Sequence, residues 1–265
     1  MPIAKVKWTA PDKTPSRWWV VLHGFLGSAR NWDNMNRALV AARPELGILG
    51  VDLRLHGRSQ GIAGPHSVRA AARDIHEMVE EEGLELEGVM GHSFGGKVAV
   101  MFGEFRPELR QIWMLDSTPS VMSGPTTASQ MLDRLEHLVM PMASREQVVN
   151  TLVAGGLGLF EARWVASNLS SGPDGVRWRL DFGGLRQMLG DFCQLDLWDQ
   201  VEVPPPWREL HVVAATRSKV LSQGDLARLS GLEGGGQVWL HPLEAGHWLH
   251  VDNPEGLLAL LLSHL

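Results

Sequence analysis

Gly91-His92-Ser93-Phe94-Gly95-Gly96 lies between an apolar run (Leu86, Val89, Met90) and a helical pattern (Val98, Met101, Phe102, Phe105). This is G-x-S-x-G in a strand–turn–helix setting, the arrangement that lifts a serine onto a sharp bend. A serine hydroxyl is a poor nucleophile unless it is aimed at a base and cleared of neighbouring side chains. So tight a turn strains the backbone at Ser93, and Gly91 and Gly95 leave room for the crossing chain.

Outward from the bend, apolar runs alternate with helical patterns, which predicts a mostly parallel sheet. Strands are expected at Trp18 to Leu22, Leu46 to Val51, Leu84 to Gly91, Gln111 to Leu115, Leu210 to Ala214 and Gln237 to Leu240. Helices are expected from Asn31 to Ala42 and through Val68, Ala71, Ala72, Ile75, Met78 and Val79. Asn253-Pro254-Glu255 opens a last helix, with Asn253 as N-cap and Pro254 in the first turn. From Ser117 to Pro206 the pattern changes to short helices without clear strands between them. An inserted helical cap over 117–206 is expected, with the core formed by 1–116 and 207–265.

Composition narrows the function classes. The 265 residues suffice for one large α/β core, and 44% apolar with 20% charged residues is ordinary for a globular protein. A net charge of −6 with no lysine or arginine block argues against nucleic acid as a partner. The longest apolar run, Leu257 to Leu262, is far too short for a membrane span. Cys193 is the only cysteine, so no internal disulfide forms, and it reads as a small buried hydrophobe. The first residues, Met1 to Trp8, carry no secretory pattern, so a cytoplasmic location is the expectation. No H-E-x-x-H or G-x-G-x-x-G site stands in the right context, and neither a metal nor an organic cofactor is expected.

Three segments fit the bend at Ser93. His23-Gly24-Phe25-Leu26-Gly27 follows an early strand. A tetrahedral intermediate carries an oxyanion that needs two fixed N–H donors. The amides of Phe94 and Phe25 are the candidates. Glu244-Ala245-Gly246-His247-Trp248 precedes the last helix and supplies His247 as the base. Val51 to Ser59 wraps near the early loop, and Asp52, Arg54 and Arg58 are expected to brace it through ion pairs. His92 is expected to point away from the apex, and His241 and His250 to serve packing or the surface.

HGF, D-x-R-x-H-G-R-S, G-H-S-F-G-G and A-G-H-W-x-H, in this order, resemble the α/β-hydrolase superfamily over about 20–105 and 207–265. The resemblance implies an α/β-hydrolase fold, a mostly parallel sheet flanked by helices with an inserted helical cap. Most relatives carry an aspartate after the strand corresponding to Leu210–Ala214. Here Ser218 takes that slot. The chain resembles a small esterase/thioesterase subgroup in which that loop likewise ends in serine and a strand-end aspartate precedes proline. The residue so indicated is Asp116, in Leu115-Asp116-Ser117-Thr118-Pro119, with Asp225 and Asp181 as alternatives. Trp-Arg within the cap also recurs there (Trp178-Arg179).

Methionines and tryptophans cluster around the cap. Trp164, Trp178 and Trp248 are candidate pocket residues for an acyl chain or aromatic group. Arg177, Arg179 and Arg186 are candidates for an anionic substrate group. The expected activity is hydrolysis of small acyl esters or thioesters through an acyl-enzyme on Ser93. The alternatives are C–C bond hydrolysis or a menaquinone-pathway type of lyase on the same scaffold, and a non-enzymatic small-ligand receptor.

Overall fold

The computed structural model describes residues 3–265; Met1 and Pro2, which open the expected first core segment and leaderless N-terminus, lie outside the described residues. Seven strands form one sheet in the order β1-β3-β2-β4-β5-β8-β9. They are β1 (Lys5–Trp8), β2 (Arg17–Leu22), β3 (Leu46–Val51), β4 (Leu86–His92), β5 (Gln111–Leu115), β8 (Glu209–Ala215) and β9 (Val238–Leu243). Within this sheet, among the described residues, only β1 pairs antiparallel, along β3. The short Lys5-Val6-Lys7-Trp8 alternation was not among the expected strands. Its polar edge leaves little apolar signal to read.

Side-chain alternation divides the core into two layers. Trp19 and Val21 of β2 pack on one face with Met35 and Leu39 of α1 (Asp33–Ala42) and Leu257 and Leu261 of α11 (Pro254–Leu262). Val20 and Leu22 face the other way, toward α2 (Val68–Glu82) and α3 (Phe94–Phe105). Buried Trp19, Trp32 and Trp113 fill the first layer. α2 starts where Ser67 accepts from the Ala70 amide and stops at Gly83, which is left-handed at φ 60°. α11 begins as expected, with Asn253 accepting from the Gly256 amide.

Between β5 and β8 the chain leaves the sheet. It forms α4 (Thr127–Glu136), α5 (Arg145–Ala154), α6 (Leu159–Ala166), α7 (Phe182–Gln194) and α8 (Trp198–Glu202). Between α6 and α7 it also forms an antiparallel hairpin, β6 (Leu169–Gly172) and β7 (Gly175–Trp178). The expectation of helices alone missed this hairpin, because Leu169-Ser170-Ser171-Gly172 is mostly polar and exposed and carries no apolar alternation. Leu132, Val148, Val165 and Leu185 of this segment join the apolar cluster that holds α2 and α3. After β8 come α9 (Gln223–Ser230) and, past β9, α10 (Leu249–Asp252). No helix among the described residues is long and apolar enough to cross a membrane.

Candidate active site

The site forms where the parallel strands end at their carboxyl side, the place where α/β sheets bind ligands. Ser93 follows β4 directly and Asp116 follows β5 directly, while His247 lies shortly beyond β9. Strand register makes the first two neighbours. His92 pairs with Leu115, and the Ser93 amide donates to the Leu115 carbonyl at 2.9 Å.

Ser93 sits at φ 52° and ψ −116°, a conformation costly for any residue with a Cβ. Its neighbours make room. A Cβ on Gly91 would fall 1.9 Å from the Gly95 carbonyl oxygen, and one on Gly95 would fall 2.7 Å from that of His23. The second contact shows that the chain after β2 runs against the bend. A Cβ on Gly24 would stand 3.4 Å from that of Ser93.

Asp116 is buried and also left-handed, at φ 45°. Its amide donates to the Val213 carbonyl at 2.8 Å, and its Oδ1 accepts from the Ala215 amide at 3.3 Å. The remaining oxygen, Oδ2, accepts from His247 Nδ1 at 2.6 Å. With the proton held on Nδ1, His247 keeps a lone pair on Nε2, the state a general base needs. Neither alternative carboxylate does this. Asp225 is engaged by Thr118, Ser120 and the Ser222 amide. Exposed Asp181 caps α7 through the Gly184 amide.

Among the described residues no hydrogen bond joins Ser93 Oγ to His247. The two are held side by side through His92. Its Nε2–H donates to the His247 carbonyl at 2.7 Å, and its ring centroid is 4.7 Å from that of His247. Burial, with His247 and His250 adding, holds His92 well below the ordinary histidine range, so it is a neutral strut. Unliganded enzymes commonly carry a slack serine–histidine contact that tightens with substrate. His92, expected to point away from the apex, packs its ring against those of His247 and Trp248. Its grip on the His247 backbone was invisible in sequence, since a contact across 155 positions leaves no local signal.

Phe94 opens α3, so its amide is among the helix N–H groups without an intrahelical acceptor. Phe25 sits in a tight turn closed by the Gly27 amide on the Gly24 carbonyl at 3.0 Å, with Leu26 at φ 62°. The Phe25 and Phe94 rings are buried, with centroids 5.9 Å apart. This loop is braced mainly by neutral groups. His23 Nε2 accepts from the Leu53 amide at 3.0 Å, which places its proton on Nδ1, facing the Gly24 carbonyl at 2.8 Å. Burial lowers the His23 pKa and favours that neutral form. Buried Asn168 donates to the Leu26 carbonyl at 2.9 Å from the segment above.

The expected ion-pair bracing holds for Asp52 with Arg58 but not for Arg54. Asp52 accepts from the Ala29 and Arg58 amides, just past the loop, and the Arg58 guanidinium stands 3.5 Å away. Arg54 instead pairs with Asp74 of α2 at 2.7 and 2.8 Å.

Trp164 and Trp248 meet edge to face at 4.5 Å, and Trp248 lies 5.9 Å from His247, so both stand beside the site. Trp178 lies on β7 opposite Leu169 and shares no ring contact with that pair among the described residues. The three arginines are engaged elsewhere. Arg179 reaches the Gly57 and Ser167 carbonyls, Arg186 pairs with Asp133 and Glu136, and Arg177 stands 4.0 Å from Asp174.

A family model described as the alpha/beta hydrolase family matches residues 19–260. The chain belongs to the α/β-hydrolase family. It is 25% identical over 265 residues to the mouse sn-1-specific diacylglycerol lipase ABHD11, covering 93% of this chain and 80% of that one. It is 26% identical over 215 residues to a putative 2-succinyl-6-hydroxy-2,4-cyclohexadiene-1-carboxylate synthase of Bacillus subtilis, covering 74% and 73%. Among solved structures, a marine microorganism esterase superposes with a TM-score of 0.83 at 20% identity, covering 100% of this chain and 99% of the other.

Proposed function

We propose that this α/β-hydrolase is a serine hydrolase of small, uncharged acyl esters or thioesters. The reading rests on one observation, the 2.6 Å contact of His247 Nδ1 with buried Asp116 beside a serine at positive φ. Ser93 Oγ attacks the acyl carbonyl while His247 Nε2 takes its proton. Asp116 holds the imidazole in the right tautomer and stabilises the imidazolium. The Phe25 and Phe94 amides receive the oxyanion, helped by the positive end of α3. His247 then protonates the leaving group, and water resolves the acyl-enzyme by the same route in reverse.

Residues 117–206 act in this reading as a cap, with Trp164 set over Trp248 to form an aromatic wall for the acyl or leaving group. Arg177, Arg179 and Arg186 of that segment are spent on carbonyls and carboxylates, which favours a neutral substrate. An acylglycerol ester belongs in the test panel because the mouse relative bears a lipase name.

The likeness to the Bacillus synthase supports a second reading, in which the same serine and histidine run an elimination. Purified protein treated with a fluorophosphonate and assayed with aryl esters of graded acyl length separates the two. Covalent labelling of Ser93 and a burst of aryl alcohol are expected. With acyl-CoA thioesters added to the panel, slow turnover of every ester and thioester, with no burst, refutes the hydrolase reading.

A further inference from the structure

Away from Ser93, three histidines meet at one edge of the sheet. His211 is third in β8, His241 is fourth in β9, and His264 follows α11. One ligating atom from each lies within 4.8 Å of those of the other two. His211 Nδ1 and His241 Nε2 are 2.9 Å apart. The proposed ester chemistry uses none of them. His211 precedes Ala215, whose amide touches Asp116, by about 13 Å of extended strand.

The cluster is built from behind. His211 Nε2 faces Glu209 Oε2 at 3.4 Å, and the Gln111 side-chain amide holds that oxygen at 2.8 Å. The same Gln111 accepts from Trp113 Nε1 at 3.0 Å, and Trp113 stacks flat on His211 with centroids 4.0 Å apart. His264 Nδ1 lies 3.1 Å from the Leu260 carbonyl. Partners of this kind, on the far nitrogen, fix the tautomer and turn the other lone pair forward.

We propose that His211, His241 and His264 form a binding site for a divalent first-row transition cation, with zinc as the best fit. The donor set is three imidazoles, which suits zinc, copper or nickel and disfavours calcium or magnesium. With zinc–nitrogen bonds of about 2.0–2.1 Å, the His211–His241 separation corresponds to an angle of about 90° at the metal. His264 completes the set with a movement of up to about 1.5 Å toward that geometry. The ion replaces the hydrogen bond between His211 and His241, whose shared proton shifts to the other nitrogen of its ring. His211 is buried and the other two are half-buried, so the fourth position opens to solvent. Bound there, the ion ties edge strand β9 and the segment after α11 to β8. Its effect is on stability.

The test uses the full chain, stripped with a chelator and titrated with zinc chloride by calorimetry while Tm is followed. Binding at one ion per chain is expected, with Tm rising about 5–10 °C at a hundredfold excess over Kd. His264→Gln and His241→Gln should each abolish the rise. His264 lies beyond the last helix, so that variant keeps its fold and its ester turnover. Absence of a Tm rise, or a rise of equal size in both variants, overturns the proposal. So does zinc inhibition of turnover that persists in both variants as the only effect, because it places the ion at His92 and His247 instead.

Discussion

Asp116→Asn should lower kcat by about 10⁴ with little change in KM. The direction follows from the two oxygens of the carboxylate. Oδ1 accepts from the Ala215 amide and Oδ2 from His247 Nδ1. An asparagine can satisfy Ala215 only by placing its oxygen there, which points its NH₂ at His247 Nδ1. That nitrogen must then accept, so the imidazole proton moves to Nε2, where it blocks removal of the serine proton. The lost carboxylate charge also ceases to stabilise the imidazolium. At about 4 Å between charge centres and an effective dielectric near 20, that is worth about 4 kcal/mol, or about 10³ in rate. The tautomer reversal adds roughly another tenfold, which matches the effect of such substitutions in serine hydrolases. The assay is aryl-ester turnover, normalised by fluorophosphonate-labelled sites, with Tm measured alongside. Asp225→Asn should lower Tm through its lost contacts yet leave kcat within about threefold, since its carboxylate holds Thr118, Ser120 and Ser222 and does not touch His247. If Asp116→Asn keeps more than a tenth of the parent kcat, or Asp225→Asn is the crippled variant, the assignment of the acid is wrong.

Ser93→Gly should abolish turnover and raise Tm by about 2–4 °C, because relief of about 1–3 kcal/mol of backbone strain exceeds the entropic cost of glycine; a lower Tm would show that φ 52° is not strained here. Asn168→Ala should lower kcat about tenfold with KM nearly constant by loosening the Leu26 carbonyl, and an unchanged kcat in steady-state assays refutes that role. Lys97→Met should cost about 3 kcal/mol in urea unfolding. The buried ammonium donates to the Ser120, Phe192 and Leu195 carbonyls, and three orphaned acceptors outweigh the burial that lowers its pKa to about 8. A variant as stable as the parent would contradict this. Metal-free protein should weaken in acid. Buried His56 and His211 titrate at about 3 when folded but near 6.5 when unfolded, so between those values the unfolded chain binds more protons. Stability is therefore complete above about pH 6.5 and falls as pH drops toward 3, by about 1.4 kcal/mol per pH unit for each ring. A flat urea midpoint from pH 7 to 5 would contradict it.

The parts legible in sequence are those where one short stretch carries both its element and its boundary. β2 and β3 are continuous apolar runs buried on both faces. α11 announces itself with Asn253 and Pro254. The bend at Ser93 reads directly in part because Gly91 is demanded by the backbone of Gly95 only four residues on, whereas Gly95 is demanded by His23 from the distant chain after β2. Legibility fades where the meaning of a residue is set by a distant partner. Arg54 looks like a brace for the neighbouring loop, but Asp74 on α2 takes it. His241 reads as a packing or surface residue until β8 and β9 are placed side by side, which sets it against His211.

In the proposed reading the acid follows β5, and that placement has a structural cost visible in the backbone. The loop after β8 offers Ser218, whose hydroxyl accepts from the Val220 amide and has no charge to lend an imidazolium. A carboxylate must then reach the same ring from one strand over, and a residue continuing β5 in extended geometry would keep its side chain beside the sheet. Asp116 instead turns at φ 45° while its amide stays on Val213. The strained apex at Ser93 is next door, held by its amide to Leu115. Two adjacent strand ends thus hold two residues in a region that side chains avoid. Neighbouring ladders supply the hydrogen bonds that keep them there. Strain of this kind persists only where the surroundings over-determine it. Its concentration at Ser93 is why Ser93→Gly should separate activity from stability, one rising as the other is lost.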